Sequence, residues 1–452
     1  MPHYDLVIIG SGSGNSLVTP HLDDWRIALV EEGVFGGTCL NVGCIPTKMF
    51  VYPADLADNA AHAQRLGLEA AHLRAHWPEI RDRVFGRIDP ISAGGRLYRA
   101  SGTPNVTLYE THADFTGPGT LKLGTGETIT ADRIVLATGS RAVVPAIVAN
   151  SGVPFHTSDT IMRIDDLPER IIIVGGGYIA AEFAHIFSAF GVPTTIIARS
   201  ELLRDQDDEI VSRFTDIVRN KWDLRLHTKA QSVTGQAGDI TLALTDGTSV
   251  TGDALLVATG RVPNSDRLNL AAAGVDLHPD GRVVVDEFQR TSAENVWALG
   301  DVCAVNQLKH VANHEARVVA HNLAHPDDLV AADHRFVPAA VFTHPQLASV
   351  GLTEQDLQAS GRRYVAATQE YGGTAYGWAM EDTTSVCKVI ADPTTGLLLG
   401  AHIMGEQAST LIQPLIQAMS FGLGVREMSR GQYWIHPALS EVVENALLAL
   451  DL

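Results

Sequence analysis

Two short apolar runs, each followed by closely spaced glycines, constrain the fold of this chain more than any other feature. The run Leu6–Ile9 leads into Gly10 and Gly12, and the run Ile171–Val174 leads into Gly175 and Gly177. Each run is typical of a buried parallel strand, and glycines at this spacing let backbone N–H groups approach the pyrophosphate of a dinucleotide. The 452 residues also exceed what one hydrophobic core usually holds. We therefore predict an α/β protein with two Rossmann-like, three-layer domains.

The first glycine turn is followed by a carboxylate at the spacing that a ribose requires. The next apolar run, IALV, ends at Glu31, 21 residues after Gly10, where a carboxylate accepts hydrogen bonds from ribose hydroxyls. Asn15 holds the third position of G-x-G-x-x-G, with Gly14 one residue earlier, so we expect the following helix to pack differently. The pattern predicts an adenine dinucleotide with a free 2′-hydroxyl. The alternative is a structural glycine turn beside a surface glutamate.

The second glycine turn is followed by arginines instead of an acid. Gly175, Gly177 and Ala180 fill G-x-G-x-x-A at the start of a helix, and the next strand ends at Arg199, with Arg204 five residues later. Arginine pairs with a 2′-phosphate, whereas a carboxylate binds a free 2′-hydroxyl. We therefore predict NADPH at this site, the alternative being two solvated surface arginines.

Charge and hydropathy exclude several classes of function. The 33 basic and 52 acidic residues give a net charge of −19, which repels nucleic acid and anionic membrane surfaces. No apolar run approaches the roughly 18 residues of a membrane span, and the start MPHYDLVIIG lacks the features of a signal peptide. We expect a cytoplasmic protein that binds neither nucleic acid nor membrane.

Four cysteines are too few for a disulfide scaffold, and one pair is close in sequence. Cys39 and Cys44 lie in GGTCLNVGCIPTK, where a helical segment places them about one turn apart and within disulfide reach. Zinc would need two further ligands, and none of the right type lies nearby. Two inert buried thiols are another alternative. We predict a redox-active pair and no metal, with Cys303 and Cys387 as bystanders.

The segment GGTCLNVGCIPTK after a dinucleotide fingerprint resembles the disulfide reductases of the pyridine nucleotide–disulfide oxidoreductase family. The resemblance implies FAD in the first site and a Cys39–Cys44 disulfide against the flavin. The resemblance also implies that Cys44 lies nearer the flavin and that Cys39 attacks the substrate. The implied FAD-binding residues are Gly10, Gly12, Gly14, Glu31, Gly37, Thr38, Lys48, Ala113, Thr138, Gly139, Gly300 and Asp301. The implied NADPH-binding residues are Gly175, Gly177, Tyr178, Ile179, Ala180, Glu182, Arg199, Arg204 and Gly260.

The same resemblance implies an ion pair beside the flavin. Lys48 would pair with Glu182, and Tyr178 would cover the flavin in the nicotinamide pocket. A cation near the flavin favours the negative charge of its reduced form, and that cation needs a counter-ion if it is buried. The alternative is an aromatic residue at the edge of the core and a surface glutamate.

A histidine and a glutamate near the C-terminus resemble the catalytic signature of the family. His436 precedes Pro437, and Glu441 follows five residues after His436. Histidine exchanges protons near neutral pH, and a carboxylate orients the ring. The family pattern implies that His436 reaches the disulfide of the other subunit, and hence a homodimer with a shared active site.

Two strands that end in Ala-Thr-Gly, in IVLATGS and LLVATGR, resemble the points where the family's chain crosses between domains. From about residue 334, alternating apolar residues indicate antiparallel strands, which resemble the family's α+β dimerisation domain. The predicted parts are a first FAD-binding part at 1–146, an NADPH-binding domain at 147–259, a second FAD-binding or central part at 260–333, and an interface domain at 334–452.

The substrate is predicted from absences as well as from resemblance. No cysteine follows His436, Arg199 replaces the acid usual in lipoamide dehydrogenases, and SLVTPHLDDW has no basic side chain that could bind glutathione. Five stretches, CIPTKMFVYPADLA, RVFGRIDPI, HVANHEARVVAHN, AYGWAMEDT and GQYWIHPAL, resemble one branch of the family, whose disulfide substrate carries sugar and inositol hydroxyls. Candidate residues of the substrate cleft are His21, Asp24, Arg87, Tyr98 and Trp378.

Two alternatives remain open. One is a reductase of glutathione or of another low-molecular-weight disulfide. The other is a flavin diaphorase, an oxidase or a redox-sensing binding protein without a disulfide substrate.

Overall fold

The computed structural model describes residues 1–69 and 73–452. The first part of the chain forms β1 (His3–Tyr4), β2 (Leu6–Ile9), β3 (Ile27–Val30), α1 (Gly37–Asn41), α2 (Cys44–Ala61), α3 (Trp77–Ser101), β4 (Val106–Tyr109), β5 (Ala113–Gly117), β6 (Thr120–Leu123), β7 (Thr128–Ala131), β8 (Ile134–Leu136) and β9 (Ser140–Ala142). The second part forms α4 (Ala146–Ala149), α5 (Ser158–Ile161), β10 (Ile171–Val174), α6 (Tyr178–Ala189), β11 (Thr194–Ile197), α7 (Asp208–Val218), β12 (Asp223–Arg225), β13 (Ala230–Gln236), β14 (Asp239–Leu244), β15 (Ser249–Gly252) and β16 (Ala254–Val257).

The chain then returns to the first part and ends in a C-terminal unit. The returning segment forms β17 (Arg261–Pro263), β18 (Val296–Ala298) and α8 (Lys309–Ala324). The C-terminal unit forms β19 (Ala339–Val341), β20 (Gln346–Gly351), α9 (Glu354–Ser360), β21 (Val365–Glu370), α10 (Ala375–Ala379), β22 (Val386–Ala391), β23 (Leu398–Gly405), α11 (Ala408–Leu411), α12 (Gln413–Phe421), α13 (Val425–Arg430) and α14 (Ser440–Ala449).

Two parallel sheets confirm the predicted α/β class. The first has the order β18-β8-β2-β3-β4, so it takes one strand from beyond the second part of the chain. The second has the order β12-β11-β10-β16. All residues of β2 and β10 are buried, as expected for strands covered on both faces. The short antiparallel pair of β9 and β17 lies where the chain leaves and re-enters the first part.

The C-terminal unit is an antiparallel sheet with helices, as its alternating sequence predicts. Its strands have the order β19-β20-β23-β22-β21. The segment ASTLIQPLIQAMSFG forms two helices: α11 ends at Leu411 and α12 begins at Gln413, with Pro414 in its first turn. Proline fits the start of a helix because it lacks the N–H that an interior position needs. The numerical domain boundaries themselves stay a prediction.

The prediction of a helix after the first glycine turn is wrong. Two short 3-10 segments, Gly14–Leu17 and Pro20–Leu22, occupy that place. The ring of Pro20 disfavours a helical conformation in the residue before it, and Thr19 is extended, with ψ of 163°. The first segment is held instead from α3, where the Arg99 Nε donates to the Asn15 Oδ1 at 2.7 Å.

The helical segment predicted for the two cysteines is also interrupted. Cys39 lies in α1 and Cys44 is the first residue of α2, with Gly43 between the two helices. A Cβ at Gly43 would lie 2.9 Å from the Thr38 carbonyl oxygen, so a larger residue would separate the helices. The glycine thus lets α1 and α2 pack closely enough for the two sulfurs to interact.

An apolar cluster fixes α2 against α6 and the C-terminal sheet. The ring centroids of Phe50 and Trp77 are 4.8 Å apart, and those of Trp77 and Phe187 are 5.8 Å apart. Val341 and Val386 of the C-terminal sheet belong to the same buried cluster. Within the described residues, no helix is both long and apolar enough to cross a membrane.

Candidate active site

One cavity of about 510 Å³ brings together most of the predicted site residues. It lies where β2, β3, β8 and β18 end, the edge at which open parallel sheets bind ligands. The predicted residues that line it are Gly10, Gly12, Glu31, Gly37, Thr38, Cys39, Cys44, Lys48, Ala113, Thr138, Gly139, Tyr178, Ile179, Glu182, Gly300 and Asp301.

At Gly10 and Gly37, in the wall at the first glycine turn, the protein leaves no room for a side chain. Gly10 has φ of +109°, and a Cβ there would lie 2.2 Å from the Ala137 carbonyl oxygen. A Cβ at Gly37 would lie 2.8 Å from the Gly12 Cα. These glycines leave backbone exposed to the cavity, as a polyphosphate requires. A Cβ at Gly14 would meet Ile8 and Ala137, so Gly14, which lies outside the cavity lining, provides the close packing against the sheet.

Among the residues that the structure describes, two polar atoms of the cavity wall are buried without a hydrogen-bond partner. They are the Thr138 Oγ1 and the Asn41 Oδ1, and both residues line the cavity. Buried polar groups normally have hydrogen-bond partners, so the two atoms fit a polar ligand at this place. Together with the glycine wall and the cavity volume, they make the residues present compatible with a bound dinucleotide.

The two predicted cofactor carboxylates are held by the protein. The Glu31 Oε2 accepts from the Ser11 N–H at 2.8 Å and from the Ser11 Oγ at 2.7 Å. The Asp301 Oδ2 accepts from the Ser140 Oγ at 2.6 Å, and the Arg261 Nε donates to that same hydroxyl at 2.8 Å. A carboxylate can accept about four hydrogen bonds, so both keep acceptor capacity for sugar hydroxyls.

Cys39 and Cys44 are free thiols whose pKa values are shifted in opposite directions. The hydrogen bond between the two side chains is the largest influence on both, and it raises the pKa of Cys39 while lowering the pKa of Cys44 to about 7. Burial also raises the pKa of Cys39, and the charge of Lys48 lowers that of Cys44. Cys44 is therefore the sulfur that carries negative charge in the reduced pair near neutral pH.

Lys48 forms the ion pair with Glu182 that the resemblance implied. The Lys48 Nζ lies 2.7 Å from the Glu182 Oε1 and 2.6 Å from the Oε2. The carboxylate side chain is 4% exposed and also accepts from the backbone N–H of Phe342 at 3.0 Å. The Phe342 ring centroid lies 4.5 Å from the Lys48 Nζ. The C-terminal unit thus holds both members of the pair, a role for Phe342 that no sequence motif indicated.

The second glycine turn lies outside this cavity, apart from the first residues of α6. Gly175 has φ of +142°, and a Cβ there would lie 2.1 Å from the Ala258 carbonyl oxygen. Arg199 follows the neighbouring parallel strand β11 and is exposed. Both therefore lie at the same edge of the second sheet. The other predicted NADPH-binding residues outside the cavity lining are Gly177, Ala180, Arg204 and Gly260.

Tyr178 and Ile179 connect the second turn to the first cavity. They begin α6, directly after Gly177, and both line the cavity beside Glu182. The side of the cavity toward the second glycine turn is therefore formed by the first turns of a single helix.

His436 and Glu441 form a pair outside the cavity that Cys39 and Cys44 line. The His436 Nδ1 and the Glu441 Oε1 are 2.6 Å apart, and this contact is the main reason why the pKa of Glu441 is lowered. The Ala438 N–H donates to the Glu441 Oε2 at 3.2 Å. The His436 side chain is 71% exposed, and neither residue lines the cavity.

The five candidate substrate-cleft residues lie outside the lining of the cavity. Each of them is exposed. Within residues 1–69 and 73–452, no group of three His, Cys, Asp or Glu side chains is arranged to hold a metal ion.

Sequence reasoning missed Lys309 and Arg261, which both line the cavity. Arg261 directly follows the second Ala-Thr-Gly motif, so that motif was the available signal. Lys309 lies in QLKHVANHEA, which carries no motif with a known role, and only the tertiary structure brings it to the first glycine turn.

Comparison with known proteins gives a consistent result. A family model described as pyridine nucleotide-disulphide oxidoreductase matches residues 4–316, and one described as the dimerisation domain of these proteins matches residues 337–447. The chain is 55% identical over 460 residues to a mycothione reductase of Mycobacterium tuberculosis, with 100% of both chains covered. It is 33% identical to a dihydrolipoyl dehydrogenase of Halobacterium salinarum, over 98% of this chain and 95% of the relative.

A solved structure is similar over nearly the whole chain. It is the HOCl-induced flavoprotein disulfide reductase RclA from Escherichia coli, with a TM-score of 0.87 and 28% identity. The match covers 98% of this chain and 99% of that one.

Proposed function

The chain belongs to the pyridine nucleotide–disulphide oxidoreductase family, and on this basis we propose that it reduces mycothione, the disulfide of mycothiol, with NADPH and bound FAD. The observation that carries the proposal is the Cys39 and Cys44 pair in the wall of a cavity shaped for a dinucleotide. The identity of 55% to a mycothione reductase over the full length of both chains supports mycothione as the substrate.

FAD, when bound, supplies the two-electron carrier between NADPH and the disulfide. The chain's residues set the charge around it. Lys48 provides a positive charge beside Cys44, and Glu182, fixed by the Phe342 N–H, balances that charge. Such a pair favours negative charge at the sulfur without leaving an isolated buried cation.

Thiol–disulfide exchange then passes the electrons to the substrate. His436 of the partner subunit takes the proton of the Cys39 thiol, and the Cys39 sulfur attacks one sulfur of mycothione. The substrate S–S bond breaks, and the first mycothiol leaves with the proton that His436 returns. The Cys44 thiolate attacks the Cys39 sulfur of the mixed disulfide. The second mycothiol is released, and the Cys39–Cys44 disulfide forms again, so each turnover consumes one NADPH and one proton.

A homodimer with a shared site is part of the proposal. The match of residues 337–447 to a dimerisation domain supports the dimer. Large apolar side chains of the C-terminal unit are exposed in the single chain, among them Phe421, Tyr433 and Ile435. Burial of such side chains stabilises subunit interfaces. We also propose the four predicted domain ranges and a cytoplasmic location, where a reducing environment suits a catalytic dithiol.

The substrate is tested by a panel of disulfides with the purified holoenzyme. NADPH oxidation is followed with mycothione, glutathione disulfide and lipoamide at equal concentrations. We expect the highest kcat/KM with mycothione. Comparable or better turnover of glutathione disulfide would instead support the glutathione-type alternative.

Cysteine variants separate a disulfide reductase from a diaphorase. Cys39→Ser and Cys44→Ser should each abolish mycothione turnover while NADPH–quinone activity persists, because the flavin remains. The buried Cys387→Ala is the matched control and should retain both activities. Unchanged physiological turnover in Cys39→Ser would contradict the dithiol mechanism.

The preference for NADPH is tested at Arg199. Among the described residues no carboxylate pairs with its guanidinium, whereas Arg204 lies 3.5 Å from Asp205. We expect Arg199→Ala to raise the KM for NADPH by about ten- to a hundredfold, because a charge-assisted contact with the 2′-phosphate is lost. The KM for NADH should stay nearly constant, and equal effects on the two would remove the argument for a 2′-phosphate site.

A further inference from the structure

Lys309 is a cation at the first glycine turn that no motif or known role explains. It is the first residue of α8, it is half-buried, and it lines the cavity. Its Nζ donates a hydrogen bond to the Ser13 Oγ at 2.7 Å. Ser13 directly follows Gly12, so the ammonium lies at the part of the turn whose backbone faces a dinucleotide pyrophosphate.

Within the described part of the chain, the charge of Lys309 lacks a counter-ion. Among residues 1–69 and 73–452, no carboxylate lies within ion-pair distance of its Nζ, whereas each of the other lysines that are not exposed meets one. Those pairs are Lys48–Glu182 at 2.6 Å, Lys221–Asp58 at 2.9 Å and Lys388–Asp207 at 2.9 Å. Half-buried charges are normally paired, so the position of Lys309 indicates an anion that belongs to a ligand.

The same turn lacks the helix that usually supplies positive charge there. In a dinucleotide fold, the long helix after the turn directs about half a positive charge at the phosphates. Here only the four residues Gly14–Leu17 follow in a 3-10 conformation, and the extended Thr19 before Pro20 prevents continuation. The positive charge that the missing helix would contribute must come from elsewhere.

We propose that the Lys309 ammonium binds the pyrophosphate of the dinucleotide in the first site and replaces the charge of the missing helix. The inference rests on the proposed function, which assigns FAD to this site. Ser13 holds the ammonium at the turn, and the length and flexibility of the lysine side chain let it reach across from α8. The residue binds cofactor and takes no part in electron or proton transfer.

Flavin release from the holoenzyme tests this proposal without measuring turnover. The holoenzyme is diluted into buffer without FAD, and release is followed by the rise in flavin fluorescence at several KCl concentrations. We expect Lys309→Met to release FAD about ten- to a hundredfold faster than wild type at low salt, because one charge-assisted contact is lost. The difference should narrow as KCl increases, since salt screens the contact in the wild type.

The controls isolate the charge and the place of contact. Lys309→Arg should release FAD nearly as slowly as wild type. Lys122→Met, at an exposed lysine of β6, should release FAD at the wild-type rate. The absorption spectrum of the bound flavin should not change in Lys309→Met. If Lys309→Met does not fold, Lys309→Gln is compared with Lys309→Arg in the same assay.

Several results would overturn the inference. Equal release rates in wild type and Lys309→Met would do so, as would an altered flavin spectrum with unchanged release, which would point to the ring. Slower alkylation of Cys39 with unchanged release would assign the charge to the thiols instead, because the Lys309 charge lowers the pKa of Cys39. A wild-type protein that purifies without FAD would contradict the proposed function itself, and this result is distinct from the other three.

Discussion

The thiol of Cys39 and the ammonium of Lys48 act on one sulfur, that of Cys44. The hydrogen bond from Cys39 contributes most to the lowered pKa of Cys44, and the Lys48 charge contributes next among the favourable effects, against burial and Glu182. Burial alone has the opposite effect, as Cys387 illustrates, since desolvation raises the pKa of that thiol to about 12. The acidity of Cys44 therefore depends on neighbouring groups.

Removal of the Cys39 thiol should weaken the acidity of Cys44. In the reduced holoenzyme we expect Cys44 to lose its proton with a midpoint near pH 7, so that it reacts with iodoacetamide above that pH. In Cys39→Ala the midpoint should rise toward the ordinary thiol value of about 8.5, because the hydrogen bond is absent. The measurement is the pH dependence of Cys44 alkylation by mass spectrometry, with Cys387→Ala as the control. An unchanged midpoint in Cys39→Ala would contradict the assigned hydrogen bond.

The first glycine turn contains glycines with different tasks. Gly10 has a positive φ and no space for a Cβ, so its role is in the fold of the turn. The φ of Gly12 lies outside the left-handed range that favours glycine, and a Cβ there would lie 3.7 Å from the nearest described atom beyond its chain neighbours, the Gly37 Cα. The absence of a side chain at Gly12 is therefore required by the ligand and not by the packing of the chain.

Alanine substitutions should separate these two tasks. Gly12→Ala should leave the thermal stability of the cofactor-free protein nearly unchanged, yet the purified enzyme should contain much less FAD, because the methyl group occupies the phosphate path. Gly10→Ala should lower both stability and FAD content, because its Cβ meets the Ala137 carbonyl. Gly117→Ala, in open space on β5, is the control. Flavin-to-protein absorbance and thermal melts provide the measurements, and a Gly12→Ala enzyme with full FAD content would argue against this turn as the phosphate site.

A buried ion network joins the second part of the chain to the C-terminal unit. The Lys388 Nζ lies 2.9 Å from an Asp207 oxygen and 2.6 Å from a Glu354 oxygen, and the Asp207 side chain is fully buried. Burial raises the pKa of Asp207, but the hydrogen bonds from Lys388 and from the Glu354 N–H outweigh it and hold that pKa below its usual value. The contribution of this carboxylate to stability is therefore present above the usual Asp pKa of about 3.9 and is lost as pH falls through the lower folded value.

Loss of the Lys388 charge should destabilise this junction in a pH-dependent way. Lys388→Met leaves buried carboxylates without their cation, and we expect a loss of about 3–5 kcal/mol, seen as a lower Tm at pH 7. Below about pH 4 the difference in Tm between wild type and Lys388→Met should shrink, because the carboxylates that have lost their cation become protonated. The exposed Lys229→Met should have no such effect. Adding Asp207→Asn to Lys388→Met should recover part of the lost Tm. A Tm difference between wild type and Lys388→Met that stays constant with pH would contradict the ionic explanation.

The shared active site can be tested with two inactive chains in one dimer. Cys39→Ala and His436→Ala homodimers should each lack mycothione turnover. A heterodimer of the two, isolated through two affinity tags, pairs the intact Cys39 of one chain with the intact His436 of the other. It should recover about half of the wild-type activity per dimer, because one of its two symmetric sites is complete. If His436 served the cysteines of its own chain, the heterodimer would be inactive.

The sequence by itself determined the α/β class, the positions of both glycine turns, the cysteine pair and the arginine after the second turn. These features depend on backbone sterics and on residues near each other in the chain, so local patterns carry them. Pro20 also indicated that no long helix follows the first turn, because proline disfavours a helical conformation in the preceding residue, Thr19. Sequence reasoning overlooked it because the dinucleotide fingerprint favours a helix there.

Only the tertiary structure decided two further contacts that set the charge around the site. Lys309 meets Ser13 across 296 residues of sequence, and the Phe342 N–H reaches Glu182 across 160. Such contacts depend on how α8 and the C-terminal sheet pack against the first part of the chain, and no local pattern encodes that packing. The energy of each contact also depends on burial, which the folded chain sets for each residue. Local sterics thus fixed the turns and the thiols, and long-range packing fixed the electrostatic environment in which they act.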